Sequence, residues 1–177
     1  MMFVFRMARF FSCCLLACFW IISLGSLSVA QQIATGDERI MRLYLAAQTN
    51  DTGGILRELD QGVPIDSRDA NGRTALLLAT RANAIDAARL LIDAGADVNA
   101  KDNLEDSPFL YAGAEGRLEI LEMTIAAGAD LGSVNRYGGT ALIPAAHHGH
   151  VDVVRYLLTT EVDIDHVNYL GWTALLE

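Results

Sequence analysis

The 177-residue sequence predicts an all-α solenoid, a stack of short helix pairs. The first observation is an internal period, because the segments GRTALL, EDSPFL, GGTALI and GWTALL follow one another at intervals of 33 residues, with Thr74, Ser107, Thr140 and Thr173 in register. A fixed period of this length is the sequence signature of a repeat architecture. The second is composition, since 52% of the residues are apolar and a chain of this length can bury a sizeable core.

The N-terminal segment, residues 1–30, has the pattern of a secretory signal peptide. Arg6 and Arg9 precede an uncharged apolar run, and small residues stand just before Gln31. This pattern predicts cleavage before Gln31 and export, to the periplasm in the simplest case. The uncharged run over residues 10–30 is also close to the roughly 20 residues that span a bilayer, so an uncleaved membrane anchor is the alternative.

Cysteine usage and charge exclude several functions for the rest of the chain. All three cysteines lie within the first thirty residues, which leaves no thiol beyond them for a disulfide, a thiolate metal site or a cysteine nucleophile. Two of the 13 basic residues also belong to this leader, so 11 basic side chains face 22 acidic ones in the remainder. Because no basic stripe is present, we expect no nucleic-acid partner.

The period divides the chain into segments of defined length. A lead-in over residues 31–42 precedes the repeats, which occupy residues 43–177 as a degenerate unit at 43–68, full units at 69–101, 102–134 and 135–167, and a partial unit at 168–177. Repeat arrays need a terminal unit with a polar outer face, and GWTALLE ends after the first turn of a helix. We therefore expect a truncated form, and an intact-mass measurement on the native product tests this.

Each unit opens with a turn that leads into a first helix. A short polar side chain that can bond its own backbone opens the turn, at Asp69, Asp102, Asn135 and Asn168. A hydroxyl five residues later is placed to cap the helix, at Thr74, Ser107, Thr140 and Thr173. Pro144 is an exception within the first turn of its helix: it removes one hydrogen bond and crowds the Thr140 carbonyl, so we expect a local opening.

The second helix of each unit carries apolar residues at helical spacing and ends at a glycine. Gly62, Gly95 and Gly128 are placed to adopt the left-handed conformation that ends a helix. Glu161 stands at the same phase of the next unit. Because a left-handed conformation is costly for residues other than glycine, we expect a strained or differently wound corner there.

A turn, two antiparallel helices and a glycine at a period of 33, with Thr-Ala-Leu or Ser-Pro-Phe in the signature position, resemble the ankyrin repeat. The segments DSPFLYAGAEGR, NRYGGTALIPAAHHGH and LGWTALLE behind a secretion signal are similar to exported bacterial ankyrin-repeat proteins. This resemblance implies short β-hairpin tips and a non-catalytic module that binds a partner protein through its concave face, without a cofactor. It leaves the identity of that partner and the oligomeric state open.

In ankyrin domains the hairpin tips and the ends of the first helices usually contact partners. On this basis the candidate partner-binding residues are Arg73, Arg81, Leu104, Asp106, Arg136, Tyr137, His147, His148, Tyr169 and Trp172. Tyr, Trp and Arg are enriched in binding hot spots, which favours an interface role for Tyr137. Trp172 fits equally well as a residue that covers the next repeat of a longer array.

Three of the four histidines lie within four positions, at His147, His148 and His150. A zinc site would need further ligands, and the neighbouring units offer only Glu115 and Arg81 nearby, one carboxylate and one repelling cation. We therefore predict no metal site. A metal-binding or enzyme-accessory role of the His147 and His148 region is the alternative function. His150 is predicted to cap the turn between its two helices.

Overall fold

The computed structural model describes residues 37–175. Ile40–Glu177 form one compact unit, and of the other unit, Met1–Arg39, only the last three residues are described. Within the described range the chain forms eight helices and no strand. They are α1 (described over 37–48), α2 (Thr52–Asp60), α3 (Ala75–Ala82), α4 (Ile85–Asp93), α5 (Pro108–Ala114), α6 (Leu118–Ala126), α7 (Leu142–His147) and α8 (Val151–Leu157).

The helices are arranged in two layers. Helices α3, α5 and α7 contact one another in succession in one layer, and α2, α4, α6 and α8 do so in the other. Within each full unit the first helix packs against the second. The close approach of the first helices depends on alanines that recur one unit apart and are completely buried, Ala79, Ala112 and Ala145. The all-α solenoid is therefore confirmed.

Large apolar side chains hold these helices in place. Leu76, Phe109 and Leu142 are buried at corresponding positions of the three first helices, and Leu91 and Leu157 are buried in second helices. Burying one such side chain contributes about 1.5–3 kcal/mol relative to leaving it exposed. Isolated helices of this length are not stable in water, so their packing against neighbouring units stabilises them.

The tips between units are turns fixed by a side chain at their first residue. Oδ1 of Asp69 accepts hydrogen bonds from the amides of Asn71 and Arg73, at 2.8 and 2.9 Å. Asp102, Asn135 and Asn168 accept the corresponding pairs in the following units. The predicted turn chemistry is thus confirmed at all four positions.

The predicted β-hairpins at these tips are not formed within residues 37–175. The Asn103 amide donates to the Asn71 carbonyl, and the Tyr169 amide donates to the Tyr137 carbonyl, each at 3.0 Å. Other tip amides are already bonded to the side chain at the first position of their own turn, so no ladder of strand bonds develops. The tips therefore stack as turns instead of pairing as strands.

The predicted hydroxyl caps are present in two of the three full units. The Leu77 amide donates to the Thr74 hydroxyl at 3.3 Å, and the Leu110 amide donates to the Ser107 hydroxyl at 3.2 Å. Thr140 does not cap, and its buried hydroxyl has no hydrogen-bond partner. The cap of the last unit would involve residue 176, which lies outside the described range.

Pro144 explains the difference at Thr140. In the preceding units the carbonyls of Thr74 and Ser107 accept hydrogen bonds from amides four residues later. Pro144 occupies that donor position in the third unit and has no N–H. Helix α7 accordingly begins at Leu142, one residue later than its counterparts relative to the repeat, which confirms the expected local opening.

The ends of the second helices follow the glycine pattern where glycine is present. Gly62, Gly95 and Gly128 have φ angles of 82°, 90° and 90°. Glu161 does not adopt a positive φ. The Thr160 amide and hydroxyl both donate to the Leu157 carbonyl, at 3.0 and 2.6 Å, so this corner is wound differently, as expected.

The predicted leader at 1–30 and its alternative as a membrane anchor through residues 10–30 lie outside the described residues, as does the first half of the lead-in at 31–42. Among residues 37–175, no helix has the length and apolar character needed to cross a bilayer. Helix α1 contains residues on both sides of the expected start of the repeats at residue 43. The unit boundaries stay a prediction.

Candidate functional site

A groove of about 510 Å³ runs between the tips and the ends of the first helices of the three full units. Its helical wall comes from α3, α5 and α7, and its other wall comes from the tips that precede α5 and α7 and from the tip after α8. Eight candidate residues line this groove: Arg81, Leu104, Asp106, Arg136, Tyr137, His147, His148 and Trp172. Stacking of the repeated units thus brings residues from Arg81 to Trp172, a span of 92 positions in the sequence, to one face.

Two candidate residues are not part of this lining. Arg73 is tied to its own tip by an ion pair with Asp69, with 2.7 Å between guanidinium nitrogen and carboxylate oxygen. The ring of Tyr169 is packed against Gly138, where a Cβ atom would come within 2.6 Å of it, and Tyr169 is 78% exposed. Arg73 therefore stabilises its tip, and Tyr169 covers the neighbouring tip.

Two arginines in the groove are stacked on tyrosine rings. The guanidinium of Arg81 lies 4.5 Å from the ring centroid of Tyr111, the residue at the middle of α5. The guanidinium of Arg136 lies 4.9 Å from the ring centroid of Tyr137, the following residue of the same tip. Stacking of this kind is worth about 0.5–1 kcal/mol at exposed sites. It gives two long cationic side chains defined positions before any partner arrives.

The histidines connect successive units. Nδ1 of His148 and Nε2 of His150 both contact the Ala114 carbonyl of the preceding unit, at 2.7 and 3.1 Å. A carbonyl only accepts, so these two nitrogens carry the protons and donate. The prediction that the His150 side chain caps the turn between its helices is wrong. Its ring is directed to the Ala114 carbonyl of the preceding unit instead.

His147 continues the groove toward the last described tip. Its ring is stacked on Trp172 with 6.3 Å between centroids and 27° between planes. The ring of His148 is 5.3 Å from it. Trp172 remains 44% exposed beside this stack. The C-terminal part of the groove therefore presents an aromatic surface built from α7 and the final tip.

Asp106 is the half-buried acidic residue of the groove. Burial, followed by the negative charge of Asp102, raises the pKa of the Asp106 carboxyl above its ordinary value. The positive charges of Arg136 and Arg81 act in the opposite direction without cancelling the rise. No described residue donates a hydrogen bond to the Asp106 carboxylate or forms an ion pair with it. A carboxyl group in a cleft whose pKa is shifted by burial and by a charged neighbour is a candidate for a functional site.

Comparison with known proteins identifies the fold. A family model for ankyrin repeats matches residues 19–102, 43–131 and 109–177. The chain belongs to the ankyrin-repeat family. It is similar to an ankyrin-repeat domain from Acinetobacter baumannii AYE, with 62% identity, a TM-score of 0.73, and coverage of 76% of this chain and 68% of that one. A second ankyrin-repeat protein is 45% identical, with a TM-score of 0.72 and coverage of 77% and 70%. No protein with a curated description matches.

Tyr111 is a groove residue that sequence reasoning missed. It stands four residues after the cap, where the other full ankyrin units have Leu78 and Pro144. A large aromatic residue with a polar hydroxyl, in a helix whose other side chains are all apolar, is the signal that could have identified it. Its stacking with Arg81 depends on the distance between successive first helices, which the sequence does not give.

The described residues do not assemble a metal site. No group of three or more His, Cys, Asp or Glu side chains within residues 37–175 is placed to hold a metal ion. In this ankyrin stack the His148 and His150 rings each donate a hydrogen bond to the same carbonyl instead. What the arrangement offers chemically is recognition, through aromatic faces, two positioned guanidinium groups and an unpaired carboxylate.

Proposed function

We propose that this chain is a non-catalytic protein-binding module that holds a segment of a partner protein in the groove between tips and first helices. The observation that carries the proposal is the composition of that groove. Tyr137 and Trp172 are 52% and 44% exposed there, beside Arg81 and Arg136. Exposed Tyr, Trp and Arg on a concave surface are the residues that dominate binding energies in protein interfaces.

The mechanism supported by the stack is preorganisation. Both arginines are stacked on aromatic rings, and the tips are fixed by paired hydrogen bonds to Asn135 and Asn168. A surface that is already ordered loses little conformational entropy when a partner binds. Most of the free energy gained from contacts with the partner therefore contributes to affinity and is not offset by ordering of the groove.

Site-specific photo-crosslinking tests this proposal. A benzophenone amino acid in place of Tyr137 is expected to give a discrete covalent adduct in cells of the source organism. The matched control is the same amino acid in place of Arg89, an exposed residue of α4 outside the groove. Arg136→Ala in the Tyr137 crosslinking variant is expected to reduce the adduct several-fold. Equal adducts from positions 137 and 89 would show that the groove is not the binding surface.

We also propose that the module acts outside the cytoplasm. The support is the leader pattern, in which Arg6 and Arg9 precede an apolar run and small residues stand before Gln31. N-terminal sequencing of the native protein from a periplasmic fraction is expected to begin at Gln31. A protein that retains residues 1–30 and sediments with membranes would support the anchored alternative.

A further inference from the structure

One carboxylate in the groove is open to a ligand from outside the chain. Asp106 is half-buried at the entrance to α5, and no described residue forms an ion pair with it. The two cations of the groove do not fill this position, because Arg81 is stacked on Tyr111 and Arg136 on Tyr137. The geometry thus leaves a negative charge, partly shielded from water, facing the space where a partner would lie.

The Asp106 carboxyl group is poorly solvated, because it is half-buried and no described residue pairs with it. Burial and the negative charge of Asp102 raise the pKa of Asp106, and Arg136 and Arg81 do not compensate for them. Asp102 is itself fixed in place, since its Oδ1 accepts the backbone amides of Leu104 and Asp106. A positive charge brought to Asp106 would stabilise the ionised form of its carboxyl group. The two charges would interact more strongly there than at a fully hydrated surface.

The walls beside Asp106 suit a side chain with a long apolar stem. Leu104 and Tyr137, both 52% exposed, line the same groove. Lysine and arginine bury their methylene stems along such apolar surface while the charged end reaches a polar group. An acidic segment would instead meet Asp106 and the exposed Glu115 of the same groove.

We propose that the groove binds an extended segment of a partner protein that carries a lysine or arginine, whose charged end pairs with the Asp106 carboxylate while its stem packs on Leu104 and Tyr137. This inference rests on the proposed function and specifies the chemistry of the partner. The excess of acidic over basic residues in the chain favours the approach of such a segment.

Selection of displayed random dodecapeptides on the full chain tests the inference. Selected peptides are then synthesised in pairs, in which each lysine or arginine is retained or replaced by glutamine, and their affinities are measured by fluorescence anisotropy. Asp106→Asn removes the proposed partner charge, and Asp93→Asn, on the exposed side of α4, is the matched control. Asp106→Asn preserves the backbone bond made by the residue, so the variant is expected to fold.

We expect the selected peptides to contain a basic residue whose replacement by glutamine weakens binding about tenfold or more. Asp106→Asn is expected to weaken binding to a similar extent and to abolish the difference within each pair, whereas Asp93→Asn changes neither. A swapped pair, Asp106→Lys with a glutamate in the peptide, is expected to recover part of the affinity.

Two other outcomes are distinguishable. Peptides that are weakened by Tyr137→Ala but bind equally well to Asp106→Asn would overturn this inference and leave the proposed function intact. If every selected peptide binds the Tyr137→Ala and Arg136→Ala variants as tightly as the parent, the groove is not a binding site, and both proposals are wrong.

Discussion

Equivalent residues of this repeat have different environments, and the difference is decided by single neighbours. Thr74 and Thr140 occupy the same position two units apart, and both are 1% exposed. The Thr74 hydroxyl accepts the Leu77 amide, whereas the Thr140 hydroxyl has no partner because Pro144 delays the start of its helix. The same side chain is therefore a helix cap in one unit and a buried unsatisfied group in the other.

This contrast predicts opposite effects of the same substitution. Thr74→Val removes a cap and is expected to lower the free energy of unfolding by about 1 kcal/mol. Thr140→Val keeps the shape, removes an unpaired buried hydroxyl, and is expected to raise the free energy of unfolding by about 1 kcal/mol. Urea denaturation of the two variants and the parent measures both changes. Destabilisation by Thr140→Val equal to that by Thr74→Val would mean that the Thr140 hydroxyl is bonded in solution.

A second prediction at the residue scale concerns the pH dependence of the first tip. Burial alone would raise the pKa of Asp69, but hydrogen bonds from Arg73 and Asn71 outweigh it and hold the pKa below its ordinary value. A carboxylate with a lowered folded-state pKa stabilises the fold above its unfolded pKa, and that contribution is lost as the pH falls through the folded pKa. Asn135 and Asn168 make the same turn without a charge, so Asn is a matched replacement.

Asp69→Asn is expected to cost about 0.5–1 kcal/mol at pH 7, because it loses only the ion pair with Arg73. Asp69→Ala is expected to cost about 1–2 kcal/mol more, since it also loses two acceptor bonds from backbone amides. Urea unfolding as a function of pH separates the two effects. The Asn deficit should vanish below the folded pKa of Asp69, and the Ala deficit should persist there. A pH-independent Asn deficit would exclude the ion pair as its cause.

At the scale of the element, the tips share one backbone conformation but not one residue type. The third residue after the start of each tip is left-handed, with φ angles of 77° at Gly72, 64° at Glu105, 73° at Gly138 and 81° at Gly171. Glycine adopts this conformation without strain, whereas other residues lose about 1–2 kcal/mol. The tip that carries Asp106 is therefore the strained member of the set.

Relief of this strain is the prediction for the element. Glu105→Gly is expected to raise the free energy of unfolding by about 0.5–1 kcal/mol, because the removed strain exceeds the added entropy of the unfolded chain. Gly138→Ala is the converse variant, and it should destabilise, since its Cβ would lie 2.6 Å from the Tyr169 ring. Thermal unfolding of both variants provides the measurement. A lower melting temperature for Glu105→Gly would show that the exposed glutamate makes a compensating interaction in solution.

At the scale of the molecule, the period of 33 residues made the fold predictable, because position within the repeat assigns each residue to a tip, a helix start or a helix end. The tips at Asp69 and Asn168, the caps at Thr74 and Ser107, and the turn at Gly95 follow from local chemistry alone. The groove was also predictable in outline, since eight of the ten candidate residues line it.

The remaining features depend on distances between units, which local sequence does not specify. Arg73 and Tyr169 have the same residue types as side chains in the groove. However, Arg73 pairs with Asp69 in its own tip, and Tyr169 packs on Gly138 in the neighbouring tip. His150 bonds to a carbonyl 36 residues earlier in the chain. Tyr111 was missed for the same reason, because its contact with Arg81 joins two units. Contacts across units are decided by rotamers and helix spacing, and these emerge only from the packed stack.

The arrangement of the stack leads to a prediction about cooperativity. Among the described helices, the main contacts between units join adjacent ones, so the stability of the stack is approximately a sum of unit and interface contributions. Phe109 is buried in the central full unit, and Leu157 is buried in the last. Phe109→Ala is expected to cost about 3–5 kcal/mol, and Leu157→Ala about 2–5 kcal/mol, so both variants weaken one unit by a similar amount at different places.

Hydrogen exchange of backbone amides distinguishes the consequences of these two variants. Phe109→Ala weakens the interfaces of α5 with both α3 and α7, so protection is expected to fall in units on both sides of it. Leu157→Ala is expected to reduce protection in α7 and α8 while α2, α3 and α4 retain theirs. A uniform loss of protection along residues 37–175 in both variants would mean that the units unfold as one cooperative block. The groove spans all three full units, and so a gradient of this kind would place its weakest wall at α7, where Pro144 already shortens the helix.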